Sequence, residues 1–505
     1  MRVHEGKEKI SAKYSRKMVG EKNLLIFGIL FGIITHGMIL FNNFPNGDGL
    51  AFDYYTWENT ITSGRWFLGI ACLISGPFTI PVINGVISII FVTISSILVI
   101  EIFEIDNKVN RVLIVGLMLS FPAYASTLLY MFTADGYAIG IFLSVLAVWI
   151  LKQETTILKF VQAALCIALS LGIYQAYISV TMALCLLYIM QNILLNKDNI
   201  IKITIRYLMS GILGGIIYFV ILKIALKIRG VSLTSYQGID DVGQKVGTSE
   251  LILRMKYIYA QTIVTIIQKI FIQKIFLILF IIIGFMIFVN LIKNYKMKVI
   301  KLILCSFFMP ICLMPIYLSS TKVYYYLLMK YGFVFIFIYM VVLLDKIFIS
   351  NIYVKMSMIG IGIIIYGFIV SNNSMYEYAG LRYNRTLMLA NRIQNQLETG
   401  NYDTSKSIGI FYERTNDEYY KPVTDIYPYA SSKYIEMGPY NIEKFMKRYF
   451  TSDFRYIKSK NESDKIMQSE QYKKIKMGKK SFKIIENKKY IIIKIRAGVD
   501  IEDVY

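Results

Sequence analysis

The chain has 505 residues, 56% of them hydrophobic and 17% charged, with a mean hydropathy of +0.52. Soluble domains carry roughly 25% charged residues, so an ordinary soluble enzyme is excluded. The net charge of +22 is spread over short loops and a tail, not gathered in one stripe, which argues against nucleic acid and for orientation in a bilayer.

From the N-terminus, a basic segment over 1–23 carries Arg2, Lys7, Lys9, Lys13, Arg16, Lys17 and Lys22. The apolar run after it has no small-residue cleavage site and reads as a retained first helix, not a signal peptide. Runs close to the roughly 20 residues that cross a bilayer core must be helical in lipid, where every backbone polar group needs an internal partner. About eleven such spans are expected, at 24–41, 81–103, 111–131, 137–151, 157–173, 176–195, 204–224, 273–292, 299–318, 327–347 and 353–371. The fold class is therefore an all-α polytopic membrane protein. Basic residues at span ends mark the cytoplasmic side. They place the N-terminus inside, and alternation puts Lys108 with Arg111, Lys152, Lys197 with Lys202, the Lys293–Lys301 cluster, and Lys346 with Lys355 on that same side. An odd span count leaves the C-terminus outside. Residues 372–505 hold more than half of the acidic residues and read as a small extracytoplasmic α/β domain. It has a helix over 376–397, a strand at Ile408–Tyr412, and a hairpin from Phe482–Ile485 and Tyr490–Ile495. Usage of Ile, Lys, Asn and Tyr suits a bacterium, and hence its plasma membrane.

The chemistry is sought among the polar residues. His4 and His36 are the only histidines, too few for a histidine-ligated metal or a catalytic triad. Cys72, Cys166, Cys185, Cys305 and Cys312 lie in or beside apolar runs and read as small hydrophobes. Before the tail, Asp48, Asp53, Glu58, Asp135, Asp240, Asp241 and Glu250 fall on the outer side, so a reaction using carboxylates would face outward. The first outer loop, 42–80, packs together Asp48, Asp53, Tyr54, Tyr55, Trp57, Glu58, Arg65 and Trp66. Aromatic faces stack on sugar rings, carboxylates accept hydroxyl hydrogen bonds, and arginine forks onto phosphate. An interfacial loop would use the same aromatics at headgroup level, and the residues alone leave both readings open. Asp135, in FTADGY, is either a turn residue or a site carboxylate. Tyr174 and Gln175, in GIYQAY, form either a short turn or a cavity wall. Lys322 either snorkels to the interface or binds phosphate. The 251–270 stretch is amphipathic enough to lie along a membrane surface.

The run Asp48…Trp57-Glu58…Ser63-Gly64-Arg65-Trp66, then Asp135 with its apolar span, then Tyr174-Gln175-Ala176-Tyr177, resembles the bacterial GtrII-like membrane glucosyltransferases over about 24–500. Many relatives show two adjacent acids in the first loop, whereas here Gly49 follows Asp48, so Asp48 and Asp53 both stand as catalytic candidates. The resemblance implies a GT-C type enzyme with a catalytic outer loop in a membrane domain spanning 24–371. Its donor would be a polyprenyl-phosphate sugar and its acceptor an envelope glycan, with a donor synthase and a flippase as partners and no cofactor. A divalent metal beside the acids is the exception to keep in view. A first-loop carboxylate, Asp48 first, would act as general base, and Asp53 would stabilise the oxocarbenium-like state. Arg65 and Lys322 would hold the departing phosphate. Tyr54, Trp57, Glu58, Asp135, Tyr174 and Gln175 would line the substrate. The competing readings are a polymerase or ligase acting on undecaprenyl-linked glycans, and a lipid-linked sugar flippase, which would need charges at the midplane of several spans.

Overall fold

The structure, a computed structural model, describes residues 2–51, 57–76, 79–153, 156–197, 199–235, 238–239, 247–347, 352–413, 441–457, 459–478 and 480–496. In chain order the helices begin with α1 (Arg2–Leu40), α2 (Gly47–Ala51), α3 (Trp57–Thr62), α4 (Leu68–Ala71), α5 (Pro81–Phe103), α6 (Lys108–Ser120), α7 (Pro122–Leu128) and α8 (Ala134–Lys152). Then come α9 (Ile157–Ile173), α10 (Ile178–Leu194), α11 (Ile200–Arg229), α12 (Thr248–Val264), α13 (Lys274–Ser306), α14 (Met309–Leu313), α15 (Val334–Ile347) and α16 (Ile352–Thr399). Two compact units emerge, one of residues 1–41 with 54–372, the other of 42–53 with 373–505.

In the first unit most helices are apolar on all sides, as lipid requires. Among the described residues eight helices are long and apolar enough to cross a membrane, or nine if the bent pair α6–α7 is one broken span. Helix α9 is as apolar but only 17 residues long. The span expected at 273–292 is present, and the one expected at 299–318 is not found as a single helix. The 33-residue stretch α13 is two helices that meet at a break at Tyr295 (φ −138°, ψ 33°), the second running on to Ser306. Pro310 and Pro315 then divide the chain into α14 and a 3₁₀ turn at Pro315–Leu318. Proline has no amide to continue a ladder, so 299–318 cannot be one helix. Gly28 and Gly32, one turn apart on α1, bring that helix close to α5. A Cβ there would sit 2.3 Å from Thr93 Cγ2 or 2.6 Å from Ile89 Cγ2, the small-residue packing of membrane helices.

Pro122 sets the sharpest local demand. It bends α6 against α7 by 45° and removes the amide that would reach Met118 O. Tyr124 N turns to Phe121 O instead. Three consecutive carbonyls are thereby released, and three distant side chains take them. Tyr331 Oη donates to Met118 O at 2.8 Å, His36 Nε2 meets Leu119 O at 2.8 Å, and Asn372 Nδ2 donates to Ser120 O at 2.7 Å. Around them Phe121 packs edge-on against Tyr331 and Phe368, with ring centroids 6.3 and 5.6 Å apart.

Charges tie one end of the same unit. Glu104, in the left-handed region (φ 53°) after α5, pairs with Lys152 at 2.9 Å and Lys197 at 3.8 Å, and its carbonyl takes Lys346 Nζ. Asp345 accepts Asn110 Nδ2 at 2.9 Å, and Lys298 donates to Leu194 O at 2.6 Å. The basic groups that the sequence assigns to one side thus do meet at one end. Burial alone would raise the Glu104 carboxyl, but the Lys152 hydrogen bond and the charges of Lys152, Lys197 and Lys346 outweigh it and hold the group below its ordinary value.

The second unit folds around a three-stranded sheet ordered β1-β3-β2, with β1 (Ser407–Glu413), β2 (Phe482–Glu486) and β3 (Tyr490–Arg496). Strand β3 pairs parallel to β1 and antiparallel to β2. Alternation splits its residues between two faces. Ile491, Ile493 and Ile495 join Ile393 and Leu397 of α16, Leu50 of α2, and Phe445 of α17 (Ile442–Phe450), while Ile492 joins Phe411 and Ile466 of α18 (Lys460–Gln468).

Tyr331→Phe is expected to cost about 1–2 kcal/mol by leaving Met118 O unpaired. The cost should be smaller in a Pro122→Ala background, where residue 122 regains an amide. Equal costs in both backgrounds, measured by unfolding in detergent, would contradict this account. A lowered carboxylate stabilises the fold above its unfolded pKa and loses that contribution as pH falls through its folded pKa. Glu104→Gln should therefore cost up to about 1 kcal/mol at neutral pH, and nothing in acid below the carboxylate range or in high salt.

Candidate functional site

Helices α8 and α10 end at the Glu104 cluster, so Ala134 and Ile178 lie at the opposite end of the unit. There the sequence departs from apolar helix. The turn after α3 closes through Gly64 N to Ile61 O at 2.9 Å and Arg65 N to Thr60 O at 2.7 Å. Gly64 has φ +76°, and a Cβ on it would stand 2.4 Å from Gln175 Nε2 and 2.8 Å from Tyr218 Oη, so glycine is required by both conformation and space. Trp66 lies over Gly172, and Phe67 N donates to Gly172 O at 2.8 Å.

Opposite this turn the helical ladder breaks between α9 and α10. Tyr174 is extended (φ −157°, ψ 116°), and Gln175–Tyr177 form a 3₁₀ turn. The loop carbonyls are met by side chains. Gln175 Nε2 donates to Ser63 O at 2.9 Å and to Tyr218 Oη at 3.2 Å, and Tyr218 Oη donates to Gly64 O at 3.0 Å.

These bonds aim Arg65 into a group of tyrosines. Its guanidinium carbon lies 4.7 Å from the Tyr174 ring centroid, and Nη1 donates to Tyr137 Oη at 3.3 Å. Tyr137 stacks on Tyr174 at 5.0 Å. Tyr177 stands edge-on to Tyr174 at 5.4 Å and to Tyr137 at 6.2 Å. A half-buried guanidinium framed by aromatic faces can hold an anion while the rings pack against a sugar. Tyr325 belongs to the same surroundings. It is buried, its ring is 5.0 Å from Tyr317, and burial, with Tyr317 and Tyr174 nearby, pushes its phenol well above the ordinary value. It stays protonated and available as a donor.

Of the expected site residues, Arg65, Tyr174 and Gln175 come together. Asp135 is fully buried in the first turn of α8, with Cys72, Ser75 and Asn84 around it. Its Oδ1 accepts Gly136 N at 2.9 Å. Lys322 is exposed in the loop before a 3₁₀ segment at Leu327–Phe333, and its amide donates to Ser320 Oγ at 3.2 Å. Asp48 is half-buried in α2 of the second unit, a helix seated by Leu50 and by Asn441 Nδ2 donating to Gly47 O at 2.9 Å. Asp53, Tyr54, Asp240 and Asp241 lie outside the described residues. Trp57 and Glu58 fall in α3, with side chains outside the description. Glu250 pairs with buried Arg254, which also donates to Leu318 O and Ser319 O. Among the described residues no three of His, Cys, Asp and Glu gather as a metal would need.

Tyr137 and Tyr218 were not expected at the site. Each follows a legible cue, Tyr137 the Asp135-Gly136 pair and Tyr218 a lone hydroxyl inside an apolar span, but only the fold brings them to Arg65. A family model described as Glucosyl transferase GtrII matches residues 37–337, which contain all of these first-unit residues. No curated protein and no solved structure matches the chain.

Gly64→Ala combines a disfavoured φ with a clash and is expected to destabilise by about 2 kcal/mol or more. Tyr218→Phe should cost about 1 kcal/mol. The reverse order in thermal unfolding would mean that Gly64 does not set the turn.

Proposed function

Because this chain belongs to the glucosyl transferase GtrII family, a family of glycosyltransferases, we propose that its donor is a polyprenyl-phosphate hexose and its acceptor a hydroxyl of an envelope glycan. The bond between the anomeric carbon and the phosphate oxygen breaks, its electron pair leaving with the phosphate. The acceptor oxygen bonds to that carbon, and its proton passes to a carboxylate. Phosphate is a good leaving group, so a cation matters more to it than a general acid.

The observation that carries this reading is Arg65 held against Tyr174 and Tyr137 at the end of the helices away from the basic cluster. Arg65, with Lys322 in the neighbouring loop, meets the phosphate, while Tyr174, Gln175 and Asp135 line the sugar side with Tyr54, Trp57 and Glu58. Asp48 serves as general base and Asp53 stabilises the oxocarbenium-like state. The basic ends of the helices face the cytoplasm, which sets the N-terminus inside and the reaction and the 372–505 domain outside, in a GT-C type architecture of a bacterial plasma membrane. A donor synthase and a flippase then supply the substrate to the outer face.

In membranes given a synthetic polyprenyl-phosphate glucose and the native glycan, Arg65→Ala is expected to lower transfer about 10²-fold. Asp48→Asn or Asp53→Asn should lower it at least as much, whichever is the base. Full activity in all three variants would overturn the residue roles. Consumption of an undecaprenyl-linked polymer with no use of the monosaccharide lipid would favour a polymerase or ligase.

A further inference from the structure

Lys330 lies in the 3₁₀ segment Leu327–Phe333, in a backbone conformation outside the helical range (φ −98°, ψ 20°), and only 2% of its surface is exposed. The group it meets is another cation. Lys269, in the π-helical turn Thr265–Ile270 after α12, has its side chain next to it. Lys269 is half-buried, with its ammonium 5.5 Å from the Tyr324 ring centroid. Among the described residues no carboxylate pairs with either lysine.

A buried ammonium needs a counter-charge or hydrogen-bond acceptors, and a second ammonium beside it supplies neither. Both segments are nevertheless fixed. Tyr331 is anchored on Met118 O at 2.8 Å, a Cβ on Gly332 would meet Ser179 Oγ at 2.9 Å, and Ile270 and Phe271 are buried. The pair is therefore held together by its surroundings while its charges oppose. An anion between the two ammonium groups would satisfy both, and phosphate oxygens suit two point-charge donors arriving from different segments. Lys330 follows shortly after the Tyr324–Tyr326 loop, whose Tyr325 neighbours Tyr174, the ring against Arg65.

We propose that Lys269 and Lys330 form a phosphate-binding site that holds the phosphate of the lipid-linked donor and of the polyprenyl phosphate left after transfer. The identity of the ligand rests on the function proposed above; the anion site itself does not. It adds a second cationic station for the lipid phosphate, beside Arg65 and Lys322. An anionic phospholipid headgroup shares the chemistry, and the experiment separates the two.

The test uses the purified full chain in nanodiscs of zwitterionic lipid. Binding of polyprenyl phosphate, the uncharged polyprenol, phosphatidylglycerol and inorganic phosphate is measured for wild type, Lys330→Met and Lys269→Met, with unfolding followed in parallel. Polyprenyl phosphate is expected to bind and to stabilise wild type, polyprenol much less. Each lysine variant should lose at least about tenfold in affinity, and Lys330→Met, relieved of a buried like-charge contact, should melt no lower than unliganded wild type. Lys269 is the less buried of the two, so its variant carries the test if Lys330→Met does not fold. Wild-type affinity in a folded lysine variant would overturn the site, even if glucose transfer from the lipid donor is observed. Lysine-dependent binding of phosphatidylglycerol with none of polyprenyl phosphate would keep the anion site and overturn its assignment to the donor. Lysine-dependent binding of polyprenyl phosphate without any transfer would support the site and count against the proposed reaction.

Discussion

In a bilayer core a carbonyl without a donor has no water to turn to, and Pro122 leaves three of them in a row. The solution is long-range. His36 from α1, Tyr331 from the segment before α15, and Asn372 from α16 each give one hydrogen bond to the broken stretch between α6 and α7. Elements far apart in sequence are pinned to one point because the alternative, an unsatisfied buried carbonyl, costs about 1–3 kcal/mol each. Tyr331 is also the residue after Lys330. The demand created by one proline thereby fixes the backbone on which a buried lysine is presented.

The same rule operates at the candidate site. Backbone that is not helical within a membrane protein is tolerated where it is buried in protein and supplied with partners. The break at Tyr174–Tyr177 and the turn at Ser63–Arg65 face each other, and Gln175 and Tyr218 complete both. Irregular backbone of this kind exposes directional groups that a regular helix would conceal, which is why the cations and tyrosines gather there. The other end of the unit carries ion pairs instead, with Glu104 shared among lysines of three segments. One end is held by ion pairs, and the other by hydrogen bonds to irregular backbone.

Much of this was legible in the sequence. Hydrophobic runs gave the helices, the strands of the second unit fall where β-branched runs predicted them, and the basic loops that alternation groups together do converge around Glu104. The count of spans was not legible, because the apolar run expected at 299–318 is divided: its first part continues past a break at Tyr295 to Ser306, and Pro310 and Pro315 turn the rest into short segments. At the site, Arg65, Tyr174 and Gln175 stood out as polar residues in unusual places. Tyr137, Tyr177 and Tyr218 lie in or beside apolar spans, where tyrosine is also an ordinary packing residue, and their convergence depends on how α8, α10 and α11 cross. Lys330 left a clearer trace, a cation near the start of the span expected at 327–347, apart from the Asp345-Lys346 pair at its other end. Its partner is more than sixty residues earlier, on a segment that the sequence assigned to the membrane surface, so the pair could be seen only in the fold.

The proposed reaction at the end away from the basic cluster draws its support from membership in a glucosyltransferase family and from the caged arginine found there. The most direct measurement is an experimental density map of the full chain bound to polyprenyl phosphate. The account predicts phosphate density at the end that holds Arg65, Tyr174 and the Lys269–Lys330 pair, in contact with at least one of these cations. Phosphate density at the end that holds Glu104, Lys152 and Lys346, with none near Arg65 or Lys330, would contradict it.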